Sequence, residues 1–273
     1  MNSAKRLSII VPSFRDERIL EAIASIRAID DVSAIRIVVI DGGSPEPLVA
    51  RIAAVLTDDD ILVSERDKGI FDGLNKGLDQ VDTDYMGWLG SDDLYSGEVK
   101  ASEVIGQLED ADLYITSMAF FRGDRIRRIT HSWPASKGLV TLGLHNPHYG
   151  TFGRSGLLKS ERFAIDDPIS DQIYFFRIFD KKPRVAWTKK VGILAGEGGF
   201  SNSSYGKALA LNRLVFTAIR RHRNIFAAIV GVAAKVGYKG SMRLWFKLRR
   251  ITWPQRFPIA HRAMLQARQP GRP

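Results

Sequence analysis

Apolar residues fall in short runs over the first 118 positions, and stretches with a helical repeat separate the runs. Leu7-Ser8-Ile9-Ile10-Val11, closed by Pro12, has the β-rich character of a buried strand. Asp16 to Ala28 places Ile19, Ala22, Ile23 and Ile26 on one helical face. The alternation continues with a strand at Ile35–Ile40, a helix from Pro47 to Leu56 and a strand at Ile61–Val63. A helix from Ile70 to Leu78, a strand at Tyr85–Leu89, a helix from Gly97 to Leu108 and a strand at Leu113–Met118 follow. Strands alternating with helices of ordinary length predict an α/β fold around a mostly parallel sheet.

The polar turns all follow strands: Pro12-Ser13-Phe14-Arg15, Asp41-Gly42-Gly43-Ser44, Glu65-Arg66-Asp67-Lys68-Gly69 and Gly90-Ser91-Asp92-Asp93. In a parallel sheet such turns gather at the carboxyl edge, where open α/β sheets bind ligands. After residue 118 the pattern changes. Phe120–Ile126 predicts a hairpin turning at Arg122-Gly123-Asp124. Gly138–Gly156 is rich in Gly, His and aromatics, and Ser170–Phe179 predicts a helix with Ser170 as its N-cap. Val185-Ala186-Trp187 predicts a short strand, and Gly196–Ser201 a loop that ends the main domain.

The absence of cysteine excludes disulfides, thiolate metal sites and a cysteine nucleophile. No P-loop, dinucleotide fingerprint or nucleophile elbow is present, which disfavours the corresponding NTPase, dehydrogenase and hydrolase classes. The N-terminus lacks a signal-peptide apolar region, and the longest apolar run, Ile225–Ala234, is far shorter than a membrane span. These features point to a cytoplasmic protein.

The net charge of +10 is unevenly distributed. From Gly198 onward there are 15 of the 40 Lys and Arg and no Asp or Glu, so the preceding residues carry 25 basic against all 30 acidic residues. A mildly acidic body thus carries a basic tail, which suits an anionic partner. Within residues 207–250, cations are interleaved with Leu, Ile and Val, and Trp245, Phe246 and Trp253 stand near the last of them. That mixture fits an interfacial helix on anionic lipid at the inner face of the cell membrane. It also fits helices packed on the body with solvated cations. No nucleic-acid-binding module is visible.

Each candidate site residue has two readings. Asp92 and Asp93 are a solvated turn after a strand, or oxygen ligands for a hard divalent ion that binds a diphosphate. Asp41 organises an Asx turn, or accepts from a nucleobase or ribose. Asp67, Lys68 and Gly69 begin a helix, with Asp67 near the N-cap, or set an acid and a cation beside a phosphate. Asn75 and Lys76 form a solvated helical face or line the same site. Asp171 is an acid at a helix start, or a general base facing an acceptor hydroxyl; Asp166 and Asp167 compete for that role. His145 and His148 are loop histidines, or line an acceptor pocket.

Together, Leu7–Phe14, Val38–Ser44, Glu65–Asp72, Asn75-Lys76-Gly77 and Leu89–Asp93 resemble family 2 glycosyltransferases of the GT-A fold, over residues 5 to 200. The nearest group builds bacterial exopolysaccharide and lipopolysaccharide. The resemblance implies a Rossmann-like donor half at about 1–118, an acceptor half at about 119–200 and a basic helical region at 201–273. It implies a nucleoside-diphosphate sugar donor, a UDP-sugar above others, and a saccharide or lipid-linked acceptor. It places Pro12 and Ser13 at the base, Asp41 on the base and Asp67 near ribose and phosphates. Asp92 and Asp93 match the DxD-type motif, with Asp93 as ligand for Mg2+ or Mn2+. Gly90 departs from the family pattern, standing where many members have Asp or Asn. Asp171 matches the base of an inverting transfer. A nucleotidyltransferase and a non-catalytic nucleotide- or membrane-binding relative are the rival readings.

Overall fold

The structure, a computed structural model, describes residues 6–29, 31–132, 148–196 and 252–268, with isolated positions between 213 and 229. His145 and the loop expected at 197–201 lie outside the described residues. A nine-stranded sheet forms the centre. Its strands are β1 (Leu7–Ser13), β2 (Ile35–Asp41), β3 (Ile61–Ser64), β4 (Tyr85–Trp88), β5 (Leu94–Tyr95), β6 (Leu113–Arg122), β7 (Arg125–Thr130), β8 (Thr151–Arg154) and β9 (Val185–Gly196). The order across the sheet is β3-β2-β1-β4-β8-β6-β9-β5, with β7 on β6.

β3, β2, β1 and β4 pair in parallel, as do β6 and β9. β8 runs antiparallel between β4 and β6, so those two share a direction. The carboxyl ends of six strands therefore meet on one edge, as the sequence order requires.

Helices α1 (Ile19–Arg27), α2 (Glu46–Val55), α3 (Ile70–Gln80), α4 (Ala101–Asp110), α5 (Ser170–Asp180) and α6 (Pro258–Ala267) surround the sheet. Alternate residues of each strand point to opposite faces. Leu7, Ile9 and Val11 meet α1, α2 and α4 residues in one buried layer. Ile10, Val38, Ile40, Met86 and Trp88 meet α3 and α5 in the other. Because both faces are covered there, β1, β2 and β4 are buried almost throughout rather than alternating.

Three details differ from the sequence expectation. β9 extends far beyond Val185–Trp187, because β6 and β5 flank it along its length. β5 and β8 carry no strand signal of their own; tertiary pairing makes them strands. The N-cap of α5 is Ile169, and the Ser170 hydroxyl instead accepts the Ala164 N–H at 2.6 Å.

The end of the basic region joins the body. Phe257, Ala260 and Met264 of this segment are buried in a third cluster with Leu94, Ile126, Ile129, Val191 and Leu194. Arg268 forms a two-bonded ion pair with Glu21 of α1. Among the described residues, no helix is long and apolar enough to cross a membrane.

Candidate donor and transfer site

The loop after β1 is held in an unusual backbone state. Arg15 has φ 53, in the left-handed region, and its N–H donates to Ser44 Oγ at 2.8 Å. Such strain persists only where surrounding contacts hold it. Phe14 is left 56% exposed at the edge, with the Arg15 guanidinium 5.0 Å from its ring centre. Pro12 and Ser13 lie on β1 opposite Ile40 and Asp41. Ser13 is buried, and its hydroxyl has no partner among the described residues.

Asp41 is 0% exposed. Its Oδ2 accepts the N–H groups of Gly43 and Ser44 and the Ser64 hydroxyl; its Oδ1 accepts the Ser44 hydroxyl. A carboxylate has about four acceptor positions, so at most one position, on Oδ1, remains for a base. The turn-organising role that the sequence left open is the one the geometry displays. Asp67 lies across this loop. A Cβ on Gly42 would sit 2.5 Å from Asp67 Oδ2, so only glycine allows that approach. The N-cap of α3 is Gly69, at φ 117, and Asp67, two residues before it, accepts the Gly69 N–H at 3.0 Å. Lys68 is exposed beside it, and its N–H donates to Asp72. Asn75 points elsewhere: its Nδ2 donates to Phe163 O and its Oδ1 accepts Phe163 N–H, both at 2.9 Å. Both ends of that amide thus clamp the two halves together.

Beyond β4, Gly90–Asp93 makes a tight turn closed by Asp93 N–H to Gly90 O at 3.1 Å. A Cβ on Gly90 would meet Asp93 Oδ2 at 2.8 Å and Asp92 Oδ1 at 3.2 Å, so the departure from the family pattern makes room for two carboxylates. Asp93 is 5% exposed and has one long bond, from Gly196 N–H at 3.3 Å. Burial, then the charge of Asp92, pushes its pKa to about 8. Burial also raises that of Asp92, against the opposing pull of Arg18. Arg18 grips Asp16 with two bonds of 2.8 Å and stands 3.7 Å from Asp92. Burial pushes Asp16 upward, but the Arg18 bonds outweigh it and hold Asp16 below the usual carboxylate range. Ser91 Oγ donates to Asp16 and ties the β1 and β4 loops together.

A buried carboxylate with a half-buried one beside it, short of counter-charge, fits a hard divalent cation. Among the described residues no group of three or more metal-type side chains forms a cage. A site of one or two carboxylates completed by substrate phosphates and water has that make-up.

A turn at His148–Gly150 precedes β8. The His148 ring lies 5.3 Å from Trp88 and 5.5 Å from Phe163. Burial holds its pKa at about 3, so it packs as a neutral ring, enclosed rather than lining an open pocket. Asp171 is half-buried in the first turn of α5 and accepts the Gln172 N–H at 2.9 Å. Asp167 accepts the Ile169 N–H and shapes the turn before α5, while Asp166 is exposed. Tyr149 was not singled out by sequence. Burial raises its pKa above the ordinary phenol range, and the charges of Asp93, Asp92 and Asp171 add to the effect. All three carboxylates thus lie near enough to Tyr149 for their charges to act on it. A tyrosine in an aromatic-rich loop carries no sequence signal for that role.

The family model "Glycosyl transferase family 2" matches residues 8–184. A "PGL/p-HBAD biosynthesis glycosyltransferase" of Mycobacterium bovis is 29% identical over 164 residues, which cover 57% of this chain and 61% of that protein. The match thus spans about three-fifths of the relative's length. The structure of S. aureus TarS 1-349 in complex with UDP-GlcNAc aligns at TM-score 0.60 and 21% identity, covering 96% of this chain and 81% of that one. The mannosyltransferase PcManGT from Pyrobaculum calidifontis, in complex with GDP-Man and Mn2+, aligns at 0.59 and 16% identity, covering 99% and 77%. These likenesses place the sheet and its helices in the GT-A fold. With the family model matched over most of its length, the chain belongs to glycosyl transferase family 2.

Proposed function

We propose that the protein transfers a sugar, with inversion, from a nucleoside-diphosphate sugar to a hydroxyl of a saccharide or lipid-linked acceptor in bacterial surface-polysaccharide synthesis. The observation that carries this reading is Asp93, a buried carboxylate at the end of β4 with Asp92 beside it and no full counter-charge. The nucleoside lies over the edge formed by Pro12, Ser13 and the Asp41 loop, and Asp67 and Lys68 face its ribose and phosphates. A UDP-sugar is the first choice of donor, because TarS is seen with UDP-GlcNAc and shares the fold. Mg2+ or Mn2+ held by Asp93, when bound, supplies charge neutralisation for the departing diphosphate. Asp171 takes the proton from the acceptor hydroxyl, whose oxygen then attacks the anomeric carbon opposite the leaving group. The basic stretch at 207–250 holds the enzyme against anionic lipid.

The experiment is a thermal-shift screen of UDP, GDP and dTDP with and without Mn2+, followed by release of nucleoside diphosphate from the matching sugar nucleotide. A shift that requires Mn2+ and is lost in Asp93→Ala, with turnover lost in Asp171→Asn, is the expected result. No shift with any nucleotide and no turnover would leave a non-catalytic scaffold as the better description.

A further inference from the structure

β8 runs down between β4 and β6 and begins only at Thr151. Above it, at the carboxyl edge, the His148–Gly150 turn fills the gap between those strands. Thr116 of β6 donates to Gly150 O at 3.1 Å, and Trp88 of β4 meets the His148 ring. Tyr149 stacks on His148 at 4.4 Å between ring centres. It packs against both hydrophobic layers, which lie on opposite faces of the sheet. A side chain can touch both layers only where the sheet is open. Tyr149 therefore stands in the floor of the edge where the site gathers. The Gly90–Asp93 turn follows β4, the strand that carries Trp88. Asp171 lies in the first turn of α5, whose Phe175 packs on both Trp88 and His148.

We propose that Tyr149 is a substrate-contacting residue at the transfer point, its hydroxyl donating to the sugar oxygen that passes between the Asp92–Asp93 pair and Asp171. This rests on the roles proposed above for Asp93 and Asp171. Near enough to Asp93, Asp92 and Asp171 to feel their charges, the neutral phenol supplies a donor to an edge otherwise rich in acceptors. Phenylalanine keeps the ring stacking and both packing contacts while removing that donor.

The test uses the 273-residue chain labelled at tyrosine Cζ with carbon-13, which contains seven tyrosines. Tyr149→Phe identifies the Tyr149 resonance by its loss. Mn2+ alone is expected to broaden that resonance in the wild type and not in Asp93→Ala. Nucleoside diphosphate release from UDP-GlcNAc or GDP-mannose, with water as acceptor, is expected to fall in Tyr149→Phe by roughly 10- to 100-fold, the loss of one hydrogen bond to a charged or charge-developing group. The melting temperature and Mn2+ affinity of that variant should match the wild type, so the loss falls on kcat rather than on donor binding. A Tyr149 resonance left sharp by bound Mn2+ overturns the proposal, as does a Tyr149→Phe protein with undiminished kcat. Full turnover by Asp171→Asn sinks the base assignment instead, and the Mn2+ effect then still decides Tyr149.

Discussion

Two loops at the same sheet edge each bury a carboxylate, and they treat it in opposite ways. After β2, Asp41 is surrounded by four donors from Gly43, Ser44 and Ser64. After β4, Asp93 has one long hydrogen bond and a second carboxylate beside it. Burying a charge is costly unless it is paired or hydrogen-bonded. Asp41 meets that condition from within the fold. Asp93 meets it only by taking up a proton or a cation. One loop satisfies its carboxylate from within the fold, and the other does not.

Exchanging the two residues for alanine should separate these roles most widely. Asp93→Ala is expected to lower sugar-nucleotide turnover by on the order of 10²–10³, the scale of losing one electrostatic stabiliser of transition-state charge. Its metal-free fold should be no less stable. Asp41→Ala should cost about 3 kcal/mol of stability, because Gly43 and Ser44 N–H groups and two hydroxyls lose their acceptor. Chemical denaturation alongside a turnover assay checks both; equal stability losses in the two variants would break the contrast.

A second test is pH. The folded pKa of Asp93, about 8, lies above its unfolded value. The native state therefore binds one more proton than the unfolded state between about pH 4 and 8, and metal-free stability declines as pH rises through that window. Asp93→Asn should abolish the decline, with its largest gain above pH 8. Because the cation must displace that proton, Mn2+ affinity should rise about tenfold per pH unit between pH 6 and 8, then level off. Calorimetry in buffers of different ionisation enthalpy would report the released proton; a flat profile would mean that Asp93 is already ionised.

The smallest effect concerns Arg18. It stands 3.7 Å from Asp92 and is an internal rival to any cation there. Its side chain is 56% exposed, so solvent screens the pair and the rivalry is modest. Arg18→Gln should tighten Mn2+ binding roughly two- to fivefold, on the scale of a surface ion pair. Weaker binding in that variant would instead give Arg18 a supporting role, through its grip on Asp16.

Much of residues 7–118 was legible in the chain. β1, β2, β3, β4 and the start of β6 are local apolar runs, each helix a local repeat, and parallel pairing follows from their alternation. The polar turns after β1, β2, β3 and β4 therefore reach one edge without further information. What rests on pairing and packing between distant segments was less so. β5 and β8 are strands only because β9, β4 and β6 offer them partners. Asn75 looks from its motif like a donor contact, yet its amide clamps Phe163, 88 residues away. The basic region reads as an appendage, yet Phe257, Ala260 and Met264 complete a core cluster.

By itself the sequence determined the α/β order, the edge where the site forms and the carboxylates that gather there. These depend on local periodicity and on turn chemistry, which neighbouring residues encode. Only the tertiary structure decided which of those carboxylates is satisfied. Asp41 ends β2 and takes three of its four donors from Gly43 and Ser44 in its own turn, whereas Asp93, in the turn after β4, has none from its neighbours. The rest of the difference lies in Ser64 and Gly196, brought in from distant strands, and in the approach of the two carboxylates to Gly90, whose missing side chain leaves them room. Long-range donors and the exclusion of water set the energy of a buried charge, and both arise only when the chain is folded.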